Sequence, residues 1–275
     1  MRGGSELSLS EHHGPRREQL SDERAGISFD RIADRYDATR GYPEDTMSDI
    51  LKALDKMLRK EDQILDAGVG TGRFAQPLQA KGYSVVGVDI AARMLKKARG
   101  KGVENIVRGT LVMLPFKDAA FDKCISIHVL HLITDWKCAL AEIGRVTKEE
   151  FLSVAFSKEE SPAQEVRKSY EQACEELGYS VKHPGMRERE LPDVIAPDFI
   201  EPIVLHEHPV DVQNLIDEFE SRTYSNQWTV PQEVHEQAIQ MVREKYEGVE
   251  QVFGIEKISL IIWNTDKLRN LDSMG

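Results

Sequence analysis

The sequence predicts an α/β protein built on a parallel sheet, and three observations lead to this prediction. Short apolar runs typical of buried strands alternate with helical patterns between residues 63 and 156. A glycine-rich turn joins the first of these strands to the helix that follows it. An acidic residue closes the second strand. Such β-α-β alternation is typical of a parallel sheet covered by helices.

The elements follow one another in a regular order. A helix is expected first, over residues 45–60, because its apolar residues recur at helical spacing. Glycines at 82 and 100 mark the ends of two later helices. The predicted strands are 63–67, 83–89, 105–108, 122–128 and 151–156, and the helices between them are 73–81, 91–99 and 138–146.

The rhythm changes after residue 157. Helices are predicted over 162–177, 212–219 and 233–246, and strands over 199–210 and 252–263. This half has few independent apolar elements, so we expect its strands to join the same sheet and its helices to cap it.

Composition and charge exclude several classes of protein. The 275 residues carry a net charge of −11, and from residue 158 onward there are 12 Lys/Arg against 24 Asp/Glu. Phosphate backbones favour clustered positive charge, so no nucleic-acid partner is expected. Apolar runs are far shorter than the roughly 18 residues of a membrane span, and no secretory signal is visible. Three cysteines form no disulfide framework, so we expect a cytoplasmic protein.

The run Asp66-Ala67-Gly68-Val69-Gly70-Thr71-Gly72 is the most informative part of the chain. Its glycines let a ligand lie close to the backbone, and the helix after them presents amide donors. Asp89 ends the next strand, where a carboxylate can accept both hydroxyls of an adenosine ribose. Ile90 follows and can pack against the adenine. These residues predict a nucleoside cofactor.

The spacing of the glycines distinguishes between nucleoside cofactors. The dinucleotide pattern is Gly-x-Gly-x-x-Gly, whereas here it is Gly-x-Gly-x-Gly with Arg73 at the place of the third glycine. Asp66 adds negative charge where a pyrophosphate would be repelled, but it suits an ammonium group. S-adenosylmethionine carries an ammonium and a carboxylate and no phosphate, so it is the predicted cofactor.

The chain resembles the class I S-adenosylmethionine-dependent methyltransferases, and within them the branch similar to ubiquinone and menaquinone biosynthesis methyltransferases. The resemblance implies a Rossmann-like, seven-stranded, mostly parallel sheet with one antiparallel strand and helices on both faces. It covers residues 29 to about 156, within a predicted domain over 28–275 that has a cofactor-binding core over 28–156 and the last strands and a helical substrate cap over 157–275. The polar, glycine-rich composition of residues 1–27 predicts a flexible tail before this domain. The residues that carry the resemblance are 29–33 with 36–37, 65–72, 86–89 with 94–95, 114–116 with 121–122, and 130–131.

The same resemblance implies the residues of the cofactor site. Thr110 departs from the family, which has an aspartate there to accept from the adenine amino group, although a hydroxyl can also accept. The implied cofactor-binding residues are Tyr36, Asp66, Gly68, Gly70, Thr71, Gly72, Asp89, Ile90, Met94, Thr110, Leu111, Ile127 and His128.

Candidate catalytic residues are His131 and His128, at the end of the fourth strand, where open α/β sheets place their ligands. Either imidazole can act as a general base, but His131 can also be structural and His128 can serve the cofactor alone. Tyr224 and Trp228 are candidates for a substrate pocket, or for anchors of a lid. No metal site is predicted.

The predicted function is transfer of a methyl group from S-adenosylmethionine to a small-molecule acceptor by in-line displacement. The protein is expected to be a monomer or homodimer with no nucleic-acid or membrane partner. Alternatives are a tRNA or other nucleic-acid methyltransferase, an NAD(P)-dependent oxidoreductase, and a non-catalytic regulator that retains the cofactor site.

Overall fold

A computed structural model describes residues 27–33, 36–37, 42–158, 160–269 and 271. The tail predicted over 1–27 lies outside these ranges except for its last residue. The chain divides into two compact units. Unit 1 comprises residues 1–155, 184–201 and 259–275, and unit 2 comprises residues 156–183 and 202–258.

The strands form one seven-stranded sheet of order β3-β2-β1-β4-β5-β7-β6. The strands are β1 (Gln63–Ala67), β2 (Ser84–Asp89), β3 (Ile106–Arg108), β4 (Phe121–Ser126), β5 (Thr147–Lys158), β6 (Phe199–Asp211) and β7 (Gln251–Asn264). The helices are α1 (Glu44–Met57), α2 (Ala75–Ala80), α3 (Ala92–Gly100), α4 (Trp136–Val146), α5 (Pro162–Glu176), α6 (Leu191–Val194), α7 (Val212–Glu220) and α8 (Gln232–Lys245).

The direction of the strands confirms the predicted fold class. The pairs β1–β2, β1–β4, β2–β3 and β4–β5 are parallel. Thr265, just past the end of β7, donates its hydroxyl to the carbonyl of Lys148 at the start of β5, so β7 runs against β5. Asp198, just before β6, donates its amide to the carbonyl of Ile262 near the end of β7, so β6 and β7 are antiparallel too. One antiparallel strand therefore interrupts a parallel sheet flanked by helices.

The core of unit 1 lies around the sheet. Parallel strands covered by helices are buried on both faces, and all but one residue of β1 and of β4 is buried. Trp263 of β7 is fully buried, stacks on Phe151 of β5 at a ring distance of 5.5 Å, and donates its indole N–H to the carbonyl of Ile195. Leu54 and Ile50 of α1 are also fully buried.

Unit 2 has its own core, formed mainly by α5, α7 and α8. The Tyr170 ring of α5 stacks on Phe219 of α7 at 5.0 Å, and its hydroxyl lies 2.6 Å from Nδ1 of His235 in α8. Ser161 caps α5 by accepting from the amide of Gln164. In the described part of the chain, no helix combines the length and hydropathy that crossing a membrane requires.

Candidate active site

The carboxyl ends of β1, β2 and β4 lie side by side in unit 1. Asp66 of β1 pairs in register with Gly87 of β2 and with Ile125 of β4. The amides of Gly68 and Val69 both donate to the carbonyl of Val88, which fixes the turn after β1 to the end of β2. Open α/β sheets bind their ligands at this edge.

The three glycines of the turn have positive φ angles of 86°, 54° and 76°, but their surroundings differ. A β-carbon at Gly68 would lie 2.3 Å from a methyl of Val129, and one at Gly72 would lie 2.4 Å from a methyl of Val103. At Gly70 the nearest atom outside the turn is the Met94 methyl, at 3.5 Å. Gly68 and Gly72 are therefore required by protein packing, whereas Gly70 leaves its face open to the cleft.

Asp89 closes this cleft at the end of β2. One of its oxygens accepts from the amide of Gly70 at 2.9 Å, and the other accepts from the amide of Ala91 at 2.8 Å. Burial raises the pKa of this carboxyl, while the two backbone amides partly offset that effect. The carboxylate is thus held in a fixed orientation beside the open face of the turn.

Asp66 lies beneath the turn and is almost fully buried. Burial, together with the nearby charge of Asp89, raises its pKa to about 7, and the amide of Ala75 at the start of α2 acts in the opposite direction. The carboxyl is therefore partly neutral near pH 7.

The cleft is lined by ten of the thirteen residues that the sequence predicts for cofactor binding. Asp66, Thr71 and Gly72 do not line it, and their part in cofactor binding stays a prediction. The predicted residues that line it are Tyr36, Gly68, Gly70, Asp89, Ile90, Met94, Thr110, Leu111, Ile127 and His128. Sequence reasoning missed Ile27, Phe29, Gly109, Val129, Leu132 and Ile133, which also line it.

Thr71 belongs to a polar network instead. Its hydroxyl donates to Asp37 at 2.7 Å and accepts from the Lys101 ammonium at 3.0 Å, and Lys101 also pairs with Asp37. Burial alone would raise the pKa of Asp37, but the hydrogen bonds from Lys101 and Thr71 and the charges of Lys101 and Arg73 lower it. This network ties the segment before α1 to the glycine-rich turn.

Arg73 joins the same region through aromatic rings. Its guanidinium lies 5.1 Å from the ring centres of both Tyr36 and Tyr42, a distance typical of cation–π contacts. The side chain is only 15% exposed. A large, charged residue is accommodated next to Gly72 because two tyrosines from the N-terminal region cover it.

His128 follows β4 with a φ angle of +61°, which is uncommon for a residue that is not glycine. Its ring stacks on Tyr42 at 6.2 Å and lines the cleft. His131 lies in the next turn, with its ring edge-on to His128 at 6.4 Å. His131 itself does not line the cleft, and its Nδ1 lies 3.5 Å from Oε2 of Glu188, a residue that no sequence pattern indicates.

Tyr224 and Trp228 lie in unit 2 and are held by contacts within it. The Tyr224 hydroxyl donates to Glu218 at 2.6 Å, and the Trp228 indole donates to the carbonyl of Arg222 at 2.8 Å. Their assignment to a substrate pocket stays a prediction. Among the described residues, no group of three or more His, Cys, Asp or Glu side chains is placed to hold a metal ion.

The family comparison agrees with this geometry. Residues 65–151 match the family described as a methyltransferase domain. This stretch contains the glycine-rich turn, Asp89 and the β4 loop, and it is similar to methyltransferase domains. The comparison gives no support to an NAD(P)-dependent oxidoreductase.

Two curated relatives illustrate the extent of the similarity. A malonyl-[acyl-carrier protein] O-methyltransferase from Serratia marcescens is 34% identical over 122 residues, which cover 44% of this chain and 47% of the relative. An uncharacterized protein from Methanocaldococcus jannaschii is 36% identical over 121 residues, covering 44% of this chain and 56% of the relative. The chain thus spans about half the length of these relatives.

A solved structure shares the fold over a larger part of the chain. The YcgJ protein from Bacillus subtilis superposes with a TM-score of 0.53 at 20% identity, covering 80% of this chain and 99% of the other. At this identity the likeness concerns the fold alone.

Proposed function

We propose that this chain transfers a methyl group from S-adenosylmethionine to a small-molecule acceptor by in-line displacement. The observation that carries the proposal is the juxtaposition in the cleft of the open face of Gly70, the fixed carboxylate of Asp89 and an apolar wall. A nucleoside without phosphates fits these three features together.

The residues present suit each part of the cofactor. A carboxylate has about four acceptor positions, so Asp89, which accepts from the amides of Gly70 and Ala91, can still accept from ribose hydroxyls. Ile90, Met94 and Leu111 supply an apolar surface for the adenine. The Thr110 hydroxyl is the acceptor assigned to the adenine amino group.

The cofactor, when bound, supplies a methyl group on a positively charged sulfur that needs no further activation. The chain's task is to align the acceptor with this methyl group and to exclude water, and such positioning can lower a barrier by up to about 7–11 kcal/mol. Ile127, Val129 and Leu132 give the cleft an apolar lining that excludes water. The histidines at 128 and 131 are assigned to accept a proton from the acceptor, a role that contributes roughly 10²- to 10⁴-fold.

We further propose that the protein is cytoplasmic, that it is a monomer or a homodimer, and that its acceptor is not a nucleic acid. The excess of acidic residues after residue 158 supports a neutral or cationic acceptor over a polyanion. Tyr224 and Trp228 are proposed to contact that acceptor.

The test has a binding arm and a transfer arm. Calorimetry on the full chain is expected to show binding of S-adenosylmethionine and S-adenosylhomocysteine, and none of NAD. Tritium from the labelled methyl group is then followed into a low-mass metabolite fraction, a malonyl thioester and bulk tRNA. Label in the low-mass fraction supports the proposal, whereas binding of NAD in place of S-adenosylmethionine, or label in tRNA alone, would overturn it.

A further inference from the structure

Glu188 contacts the loop that follows β4, although it is 57 residues beyond His131 in the chain. It is 5% exposed. Its Oε1 accepts from the amides of Val129 at 2.6 Å and Leu130 at 3.0 Å. Its Oε2 lies 3.5 Å from Nδ1 of His131. One buried carboxylate therefore holds the backbone of the loop with one oxygen and an imidazole with the other.

The segment that carries Glu188 is fitted closely to this loop. The amide of Gly185 donates to the carbonyl of His131 at 3.1 Å. A β-carbon at Gly185 would lie 2.1 Å from the carbonyl oxygen of Leu130 and 2.3 Å from that of Ile133. Backbone lies on backbone here, so the carboxylate has little freedom to move away from the imidazole.

The electrostatic surroundings favour a charged Glu188. Burial alone would raise its pKa, but the hydrogen bond and charge of His131 and the charge of His128 lower it to about 2. The Tyr42 ring, under the guanidinium of Arg73, covers the other side of His128. A buried carboxylate is expensive unless it is paired, and these two imidazoles are its partners.

We propose that Glu188 is the positioning residue of the histidine pair, and that the methyl acceptor is therefore one whose reacting atom carries a proton. This inference rests on the proposed function. A hydroxyl, an amine or an acidic C–H needs a base in order to be methylated without leaving a charged product. A carboxylate acceptor has no such proton, so a buried Glu–His pair would have no part in its methylation.

The roles follow the logic of a carboxylate that orients a general base. With Nδ1 of His131 directed at Glu188, the proton of the neutral ring is placed on Nδ1. The acceptor atom gives an electron pair to the methyl carbon, and the carbon–sulfur bond breaks with its electrons on sulfur. The acceptor's proton passes to His128, the histidine of the pair that lines the cleft. The resulting imidazolium is balanced by the carboxylate of Glu188 until water takes the proton.

The first test needs no acceptor. Imidazole nitrogen signals of the full chain, assigned with His131→Gln and His128→Gln, are titrated with pH by NMR. We expect His131 to be protonated on Nδ1 when neutral in the unsubstituted protein. In Glu188→Gln the preference of the neutral His131 ring for a proton on Nδ1 is expected to weaken, because a neutral amide replaces the carboxylate that faces Nδ1.

Glu142→Gln is the matched control. Glu142 also accepts a backbone amide with one oxygen, that of Leu114 at 2.8 Å, and it pairs with Arg145 rather than with a histidine. This variant is expected to leave the position of the proton on the neutral His131 ring unchanged. A neutral His131 protonated on Nε2 in the unsubstituted chain would overturn the proposal even if Glu188→Gln does not fold.

The second test uses the acceptor fraction found with the labelled methyl group. Glu188→Gln is expected to lower kcat at least tenfold, to move the acidic limb of the kcat–pH profile to lower pH, and to change the Kd for S-adenosylmethionine less than twofold. An unchanged profile, or full activity toward a malonyl carboxylate alone, would overturn the inference. If the unsubstituted chain does not bind S-adenosylmethionine, the proposed function itself is wrong. The two failures are therefore distinguishable.

Discussion

Gly72 lies against Val103 so closely that a β-carbon on the glycine would be 2.4 Å from the valine Cγ2. The third glycine of the turn is therefore a packing residue between the turn and the chain that follows α3. Gly70, two residues earlier, has no such neighbour and faces the cleft. Gly72 is thus required for packing, whereas Gly70 leaves space in the cleft. Substitutions at the two positions can test these roles separately.

Gly72→Ala is expected to destabilise the fold. The positive φ angle costs a residue with a side chain about 1–2 kcal/mol, and the overlap with Val103 adds about 1–3 kcal/mol. Urea denaturation measures the free energy of unfolding. The double variant Gly72→Ala/Val103→Ala is expected to recover part of the loss, and equal stability of the single and double variants would contradict the packing argument.

Gly70→Ala is expected to act on ligand affinity more than packing. Its β-carbon meets no atom outside the turn within 3.4 Å, but it points toward the space assigned to the cofactor. Calorimetry with S-adenosylhomocysteine should show a larger loss of affinity than in Gly72→Ala variants that remain folded. Unchanged affinity of Gly70→Ala for S-adenosylhomocysteine would show that the cofactor does not lie against Gly70.

Asp89→Ala is expected to weaken the binding of S-adenosylmethionine by roughly 5- to 150-fold. This range corresponds to about 1–3 kcal/mol, the scale of a hydrogen bond to a charged group. Asp49→Ala, which removes an exposed carboxylate that pairs with Lys52 on the surface, serves as the control. Equal affinities for the two variants would show that Asp89 does not hold the ribose.

Asp66 gives stability a predictable pH dependence. Its folded pKa, raised by burial to about 7, lies above the value near 3.9 of an unfolded aspartate. Between pH 4 and pH 7 the folded state therefore binds more protons than the unfolded one, and this group's contribution to stability falls as the pH rises through that window. Asp66→Asn should make the free energy of unfolding decline less steeply between pH 4 and 7. A curve parallel to that of the unsubstituted protein would contradict the assignment.

Gly185→Ala is expected to displace the segment that carries Glu188. The added carbon would overlap two carbonyl oxygens, of Leu130 and Ile133, which cannot rotate away as a side chain would. We expect lower stability, by about 1–3 kcal/mol, and a change in the NMR titration of His131. Gly178→Ala tests the cost of a glycine substitution alone, since a β-carbon there would meet no atom within 4 Å, although its φ of +82° is itself unfavourable. An unchanged His131 titration in a folded Gly185→Ala protein would contradict the close fit.

Local sequence patterns were enough to predict most elements of the sheet, because buried strands and the glycine-rich turn each depend on residues that are consecutive in the chain. β1 has the predicted bounds, Gln63–Ala67. The sequence predicts that β5 starts at residue 151, but the strand starts at Thr147. The residues between are charged and therefore show no strand pattern. In the structure Lys148 pairs with Asp122 and Glu150 pairs with Lys123, so the charges are matched between β4 and β5.

The lining of the cleft could be predicted in large part for the same reason, but the surroundings of His131 could not. Glu188 stands in a polar stretch with no pattern of its own, and only the folding of residues 184–190 against the β4 loop brings it to the imidazole. Similarly, Phe29 and Ile133 line the cleft through tertiary packing that no spacing indicates.

The separation of Glu188 from the loop it holds also affects the order in which this protein matures during translation. A nascent chain that has emerged only through residue 183 contains the glycine-rich turn, β4 and both histidines, but not the carboxylate that accepts the amides of Val129 and Leu130. Those amides and the His131 ring gain their partner only when the ribosome has supplied a further stretch of polypeptide. The loop after β4 is thus completed late in synthesis, after the glycine-rich turn and strands β1 to β5 have already been made.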